Sequence, residues 1–176
     1  MVYLFLADGF EEVEALCPLD ILRRGGVEVR TVGVTGKIVT GSHSIKVEAD
    51  ILPSEVEPNA EMLIFPGGMP GSLNLDASPE VDRILGSVSP DTRLAAICAA
   101  PLVLGRRGLL EGKHAVCYPG FEHEMKGYIP SKGKVVTDGN ITTAMGMGVA
   151  ADFGFALLSW LKGEEVAESV YHSAMF

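Results

Sequence analysis

Leu94-Ala95-Ala96-Ile97-Cys98-Ala99-Ala100-Pro101 reads as a buried strand that stops at Cys98 and turns at once into a helix. An apolar run bounded by small residues suits a central strand of a parallel sheet. Pro101 suits a first helical turn, where its missing N–H leaves no bond unmade. Ala99 and Ala100 are small enough for strand and helix to meet at a sharp bend. A thiol at that bend faces the first N–H groups of the helix, whose partial positive charge favours an anion. The pattern therefore predicts a Cys98 of lowered pKa, whose thiolate is nucleophilic and oxidisable. The alternative is an unreactive cysteine in a packing seam, since free cysteine is among the most buried residue types.

On either side of this stretch, strands alternate with helices. Val2–Ala7, Val27–Val34, Met62–Phe65 and Arg93–Ile97 have the length and apolar continuity of buried strands. Glu11–Arg24 predicts a helix, with acids at its start and Arg23-Arg24 at its end, as the helix dipole prefers. Strand, helix and strand within this span form a βαβ unit, which requires a parallel sheet. Ser78–Val88 reads as a helix capped by Ser78, with Pro79 in its first position. Further helices are expected over Pro101–Leu110, Val149–Leu161 and Glu164–Ser173, and a strand over His114–Tyr118. Ile38–Thr40 with Ser44–Val47 predicts a hairpin apart from the main sheet, and Val135–Thr137 with Ile141–Ala144 a second one. The expected architecture is a single-domain, three-layer α/β sandwich over residues 1–176 with a mainly parallel sheet. Ligands in such sheets bind at the carboxyl ends of the strands. Three of those ends carry distinctive chemistry: Asp8–Glu14, Pro66–Gly68 and Cys98.

Composition narrows the classes of function. A chain of 176 residues can bury about 70% of its unfolded surface in one core. A net charge of −9 without a basic cluster argues against nucleic acid and anionic membranes as partners. Three scattered cysteines make neither a disulfide framework nor a zinc pattern. Together with an N-terminus that lacks a basic leader, they suggest reduced thiols in the cytoplasm. No apolar run reaches the roughly 18 residues that span a bilayer.

Two features near the strand ends bear on Cys98. Gly67 and Gly68 permit positive φ and close approach of backbone N–H groups, which could form an oxyanion hole with the N–H after Cys98, although a tight turn without a ligand reads the same way. Glu14 lies four residues before Pro18, which cannot donate to the Glu14 carbonyl, so the helix is expected to be distorted there. If Glu14 approaches Cys98, the two acids would share one proton, with the carboxyl raised and the thiol lowered.

These residues resemble a known family. Asp8-Gly9-Phe10-Glu11-Glu12-Val13-Glu14, Pro18-Leu19-Asp20 and Arg23-Arg24-Gly25-Gly26 are similar to the start of the ThiJ/PfpI superfamily, and most of all to its DJ-one (parkinsonism-associated protein deglycase) branch. Pro66-Gly67-Gly68 with Gly71 and Asn74-Leu75 resembles its glycine motif, and Ala96–Pro101 its nucleophile elbow. Thr142–Gly148 with Phe153, Phe155 and Ala156 resembles its late glycine segment. The resemblance implies a flavodoxin-like sandwich that forms homodimers, with no metal or organic cofactor. It implies a reactive Cys98 hydrogen-bonded to a protonated Glu14, with Gly67, Gly68 and Ala99 as backbone donors. It also implies glyoxalase and deglycase activity on 2-oxoaldehydes or their adducts, oxidative-stress sensing, and chaperone activity.

Three positions depart from the pattern. Tyr118 stands where close relatives carry a histidine near the thiol, and a phenol is a poor base at neutral pH. Ala99 stands where the protease-like branch has histidine, which argues against a peptidase. His43 stands where an arginine is frequent, on a hairpin expected to reach the partner subunit, while Arg24 offers a further anion contact or a dipole partner. His114, His123 and His172 read as surface residues, and Cys17 and Cys117 as packing residues. The expected chemistry is attack of Cys98 on a small carbonyl substrate, with Glu14 moving the proton. The rival reading is a non-catalytic redox sensor or chaperone whose Cys98 oxidises to a sulfinic acid.

Overall fold

The computed structural model describes residues 1–176. In chain order the strands are β1 (Val2–Leu6), β2 (Val29–Gly33), β3 (Ile38–Thr40), β4 (Lys46–Glu48), β5 (Met62–Phe65), β6 (Arg93–Ile97), β7 (His114–Ala115), β8 (Ile129–Pro130), β9 (Val135–Asp138) and β10 (Ile141–Ala144). The helices are α1 (Glu12–Arg24), α2 (Gly71–Asp76), α3 (Pro79–Gly86), α4 (Pro101–Gly105), α5 (Ala150–Lys162) and α6 (Glu164–Ser173). No helix is long and apolar enough to cross a membrane.

The main sheet has the order β2-β1-β5-β6-β10-β9 and is parallel except for the β9–β10 hairpin. Its central strands are apolar on both faces because both faces are covered. Leu4, Leu6, Ile64, Ala95 and Ile97 point to the side packed by α1 and α5. Their neighbours Tyr3, Phe5, Phe65, Leu94 and Ala96 point to the side packed by α3 and α4. The period of two along each strand thus builds two cores from one sheet, giving the expected three layers. The chain runs outward from β1 to β2 and then returns to β5 on the other side of β1. The order reverses there, and open α/β sheets leave a crevice at the carboxyl ends of such strands.

Two local expectations are corrected. The helix after the elbow spans Pro101–Gly105 and does not reach Leu110. Gly105 lies against the backbone of Glu124, where a Cβ would fall 2.5 Å from its carbonyl oxygen, and Gly108 turns the chain at φ +72°. The strand expected over His114–Tyr118 is limited to His114–Ala115, which pairs with β8 outside the main sheet. Its later backbone donors go elsewhere: Val116 N–H to Thr143 Oγ1 at 2.9 Å and Tyr118 N–H to the Cys98 carbonyl at 2.8 Å. α2 was not legible, being a six-residue helix with no apolar period. α1 runs through Pro18 without a break, and the Glu14 carbonyl lacks the helical donor that Pro18 cannot supply.

Candidate active site

The bend after β6 holds Cys98 at φ +65°, a left-handed conformation that non-glycine residues seldom adopt. Two bonds hold it there. The Cys98 N–H donates to the Ala144 carbonyl on β10 at 2.9 Å, and the Cys98 carbonyl accepts the Tyr118 N–H. A strained residue fixed from both sides by backbone is the geometry of a nucleophile elbow. The thiol is half-buried and packs against the core under α1 and α5. Backbone N–H groups of Ala99 and Gly68 donate to it.

Glu14 reaches the same place from the end of β1. Glu11 caps α1, with its Oε2 accepting the Glu14 N–H at 2.8 Å. That cap starts the helix so that Glu14, 1% exposed, faces inward. Its Oε2 accepts the Gly67 N–H at 3.0 Å. The Met147 N–H also donates to the carboxyl, and the Cys98 thiol is hydrogen-bonded to it. The glycines after β5 are required by this crowding. A Cβ at Gly67 would fall 2.5 Å from Glu14 Oε2 and 2.7 Å from Cys98 Cβ. Gly68 has φ +93° and lies against the Gly9 carbonyl, where a Cβ would fall 2.5 Å from the oxygen.

Burial pushes the Glu14 carboxyl up to about 7, with the nearby Glu11 charge adding to the rise and the hydrogen bonds from Cys98, Gly67 and Met147 opposing it. The Cys98 thiol is also pushed up, to about 12, first by burial and then by the charge on Glu14. The expectation of a lowered thiol is therefore corrected. α4 is only five residues long, and the Ala99 and Gly68 N–H groups do not outweigh burial beside a carboxylate. The two groups act as one unit that loses a first proton near about 7 and the second near about 12. Between those values Cys98 and Glu14 hold one proton between them. When it sits on Glu14, the repulsion vanishes and the carboxyl O–H joins Ala99 and Gly68 as a donor to sulfur.

The other expected site residues divide. Tyr118 is at the site: its side chain is exposed, and a Cβ at Gly146 would lie 3.4 Å from its ring and 3.9 Å from Glu14 Oε1. Tyr118, Lys134 and the Met145–Val149 segment line an open cavity of about 430 Å³ beside Glu14. Lys134 carries no sequence signal that would single it out. His43 sits on the β3–β4 hairpin and is held by Glu12, which is 5% exposed. Glu12 Oε1 accepts the His43 and Ile45 N–H groups at 2.7 and 3.4 Å. Glu12 Oε2 lies 2.8 Å from His43 Nδ1 and accepts the Ser42 hydroxyl at 3.2 Å. Burial opposes the charge on Glu12, but these bonds outweigh it and hold the carboxyl down at about 2. His43 is correspondingly raised by its bond to Glu12. Glu11, Glu12 and His43 bring ligand-type atoms within 4.8 Å of one another. With both Glu12 oxygens already accepting, the trio is a clamp between hairpin and helix.

Arg24 is not at the site, which corrects its expected anion contact. It pairs with Asp20 at 2.6 Å at the far end of α1, beside Glu165 and Ser169 of α6. Ten helical residues separate it from Glu14, about 15 Å along the axis. Cys117 belongs to the core on the opposite face of the sheet from Cys98 and lines a separate cavity of about 280 Å³. His114, His123 and His172 are exposed.

The family described as DJ-1/PfpI matches residues 1–160. Protein DJ-1 homolog B of Arabidopsis thaliana is 37% identical over 170 residues, which cover 94% of this chain and 39% of that protein. The chain thus spans about two-fifths of the length of that plant relative. The Parkinson disease protein 7 homolog of Danio rerio is 33% identical, with 94% of this chain and 91% of that protein covered. A protein of Pyrococcus abyssi named a deglycase is 32% identical, with 79% of this chain and 86% of that protein covered. Among solved structures, oxidised Toxoplasma gondii DJ-1 superposes with a TM-score of 0.93 at 33% identity, covering 99% of this chain and 97% of the other. A DJ-1 superfamily protein from Salmonella typhimurium, in a cysteine-to-alanine variant, gives 0.94 at 32% identity, with 99% and 97% covered. The chain belongs to the DJ-1/PfpI family.

Proposed function

We propose that this protein is a cysteine-dependent enzyme of the glyoxalase or deglycase type, acting on reactive 2-oxoaldehydes or their adducts. The observation that carries the reading is the buried Glu14 carboxyl set beside Cys98, with only Gly67 between them. The deglycase name of the Pyrococcus abyssi relative supports the same class of reaction.

In the form with the proton on Glu14, Cys98 sulfur adds to the aldehyde carbon and a hemithioacetal forms. Gly68 and Ala99 N–H groups face the developing oxyanion. Glu14 gives its proton to that oxyanion, and the carboxylate so formed moves a proton from the former aldehyde carbon to the neighbouring carbonyl carbon, which leaves a thioester. Water cleaves the thioester, releasing a 2-hydroxy acid and restoring the thiol. The sum is 2-oxoaldehyde plus water to 2-hydroxy acid, with no external oxidant. Both proton movements fall to Glu14, the carboxyl packed against Cys98 across Gly67. No step requires a metal or an organic cofactor. Lactate production from methylglyoxal should be readily measurable in the wild type and lost in Cys98→Ser and Glu14→Gln. Equal rates in all three would remove the proposal.

A second reading is favoured by the oxidised state named for the Toxoplasma gondii relative. In it Cys98 is a sensor whose sulfinic acid is held by Glu14 and the same N–H groups. Selective dioxidation at Cys98 under mild peroxide, without turnover of methylglyoxal, would select it.

We also propose a homodimer through the exposed side chains of Val13 and Ile45, which flank the Glu12–His43 clamp. Sedimentation should give a dimer for the wild type and a monomer for Val13→Glu.

A further inference from the structure

The cavity beside Glu14 is larger than attack on a small aldehyde requires. At about 430 Å³ it falls within the ~300–1,000 Å³ of small-molecule pockets and is several times what a three-carbon aldehyde fills. Its wall adjoins the reacting pair: a Cβ at Gly146 would lie 3.9 Å from Glu14 Oε1, and the Tyr118 N–H donates to the Cys98 carbonyl. Gly146 and Met147 belong to its wall, and the Met147 N–H donates to the Glu14 carboxyl. Tyr118 and Met147, 51% and 53% exposed, give that wall a flat ring and a flexible thioether, both suited to an apolar body.

Lys134 is the one charged residue of the lining. Its backbone is fixed, with the carbonyl accepting the Met145 N–H at 3.0 Å. No carboxylate lines the pocket with it, so its ammonium is the only charge that wall presents. Glu14, behind Gly146, shares a proton with Cys98, and Glu122 lines the adjoining cavity on the other side of Pro119 and Met145.

We propose that the site takes an anionic carbonyl adduct: carbonyl carbon at Cys98, apolar body along Tyr118 and Met147, and carboxylate on Lys134. The proposal rests on the carbonyl chemistry above and adds the charge and size of the substrate. A free three-carbon aldehyde reaches Cys98 but leaves Tyr118, Met147 and Lys134 without a partner.

The test compares two hemithioacetals of methylglyoxal, formed with excess N-acetylcysteine or with its uncharged amide. They differ only in the carboxylate. The wild type should favour the acid in kcat/KM by about fivefold, the upper end for a solvent-facing ion pair. That ratio should fall to about one in Lys134→Met, invert in Lys134→Glu and return in Lys134→Arg, and it should shrink with added salt. A ratio near one in the wild type, or one that survives Lys134→Met, would overturn the proposal. A second arm keeps the two readings apart. Calorimetry on Cys98→Ser with S-lactoyl-N-acetylcysteine and its amide measures binding without turnover. A preference for the acid that Lys134→Met removes supports the assignment even if the wild type turns over neither adduct, and equal affinities overturn it.

Discussion

Gly67 stands between Glu14 and Cys98, with its N–H donating to Glu14 Oε2 at 3.0 Å and no room for a Cβ beside either side chain. One methyl group there would push the carboxyl from the sulfur while leaving both residues in the chain. Gly67→Ala should lower kcat by roughly a hundredfold, since a misplacement of about 1 Å costs that much. The Michaelis constant should move far less. Steady-state kinetics on a variant with unchanged circular dichroism checks this.

Glu14 also leaves a mark on stability. Its native pKa of about 7 lies above the ordinary carboxyl value of 4.5, so the folded protein binds this proton more tightly than the unfolded chain. The stabilisation is complete below pH 4.5 and is lost as the pH rises through about 7. At 1.36 kcal/mol per pH unit, the loss is on the order of 3 kcal/mol. Urea denaturation between these pH values should show that decline in the wild type and a much flatter curve in Glu14→Gln.

Glu12 has the opposite sign. Its native carboxyl lies at about 2, so its contribution is present above pH 4.5 and is lost as the pH falls through about 2. Glu12→Gln removes the charge from bonds to His43, Ser42 and Ile45 and should cost about 1–2 kcal/mol at neutral pH. Amide exchange over residues 41–45 should accelerate more than exchange in β1 or β5. Uniform acceleration across the chain would count against a local clamp.

Arg24 provides the control for position along α1. It pairs with Asp20 on the solvent side, where exposed ion pairs contribute about 0–1 kcal/mol. Arg24→Ala should leave turnover within about twofold and the melting temperature nearly unchanged, as surface substitutions usually do. A large loss of activity would mean that this end of α1 is functional.

Much of the sheet was legible because buried parallel strands are continuous apolar runs, and Pro101 after Cys98 marked the turn into a helix. Glu14 was legible as an acid near a strand end, and its partner Cys98 came from the motif. The direction of the Cys98 shift was not legible, since it depends on burial and on a carboxylate 84 positions away in the chain. Arg24 shows the limit of proximity in sequence: it shares a helix with Glu14 and points to another region. The 114–118 segment has strand-like residues, but its N–H groups serve Thr143 and the elbow. Lys134 has no local pattern at all, and only the fold places it in one pocket wall with Tyr118 and Met147.

The pH dependence of Cys98 alkylation by iodoacetamide tests the shared proton most directly. The wild-type rate should rise with an inflection near about 7, where the pair loses its first proton, and again toward about 12. Glu14→Gln should lose the lower inflection and keep a single one in the thiol range or above. Superimposable profiles for the two proteins, or a wild type that stays unreactive until the upper inflection, would contradict a proton held jointly by Cys98 and Glu14.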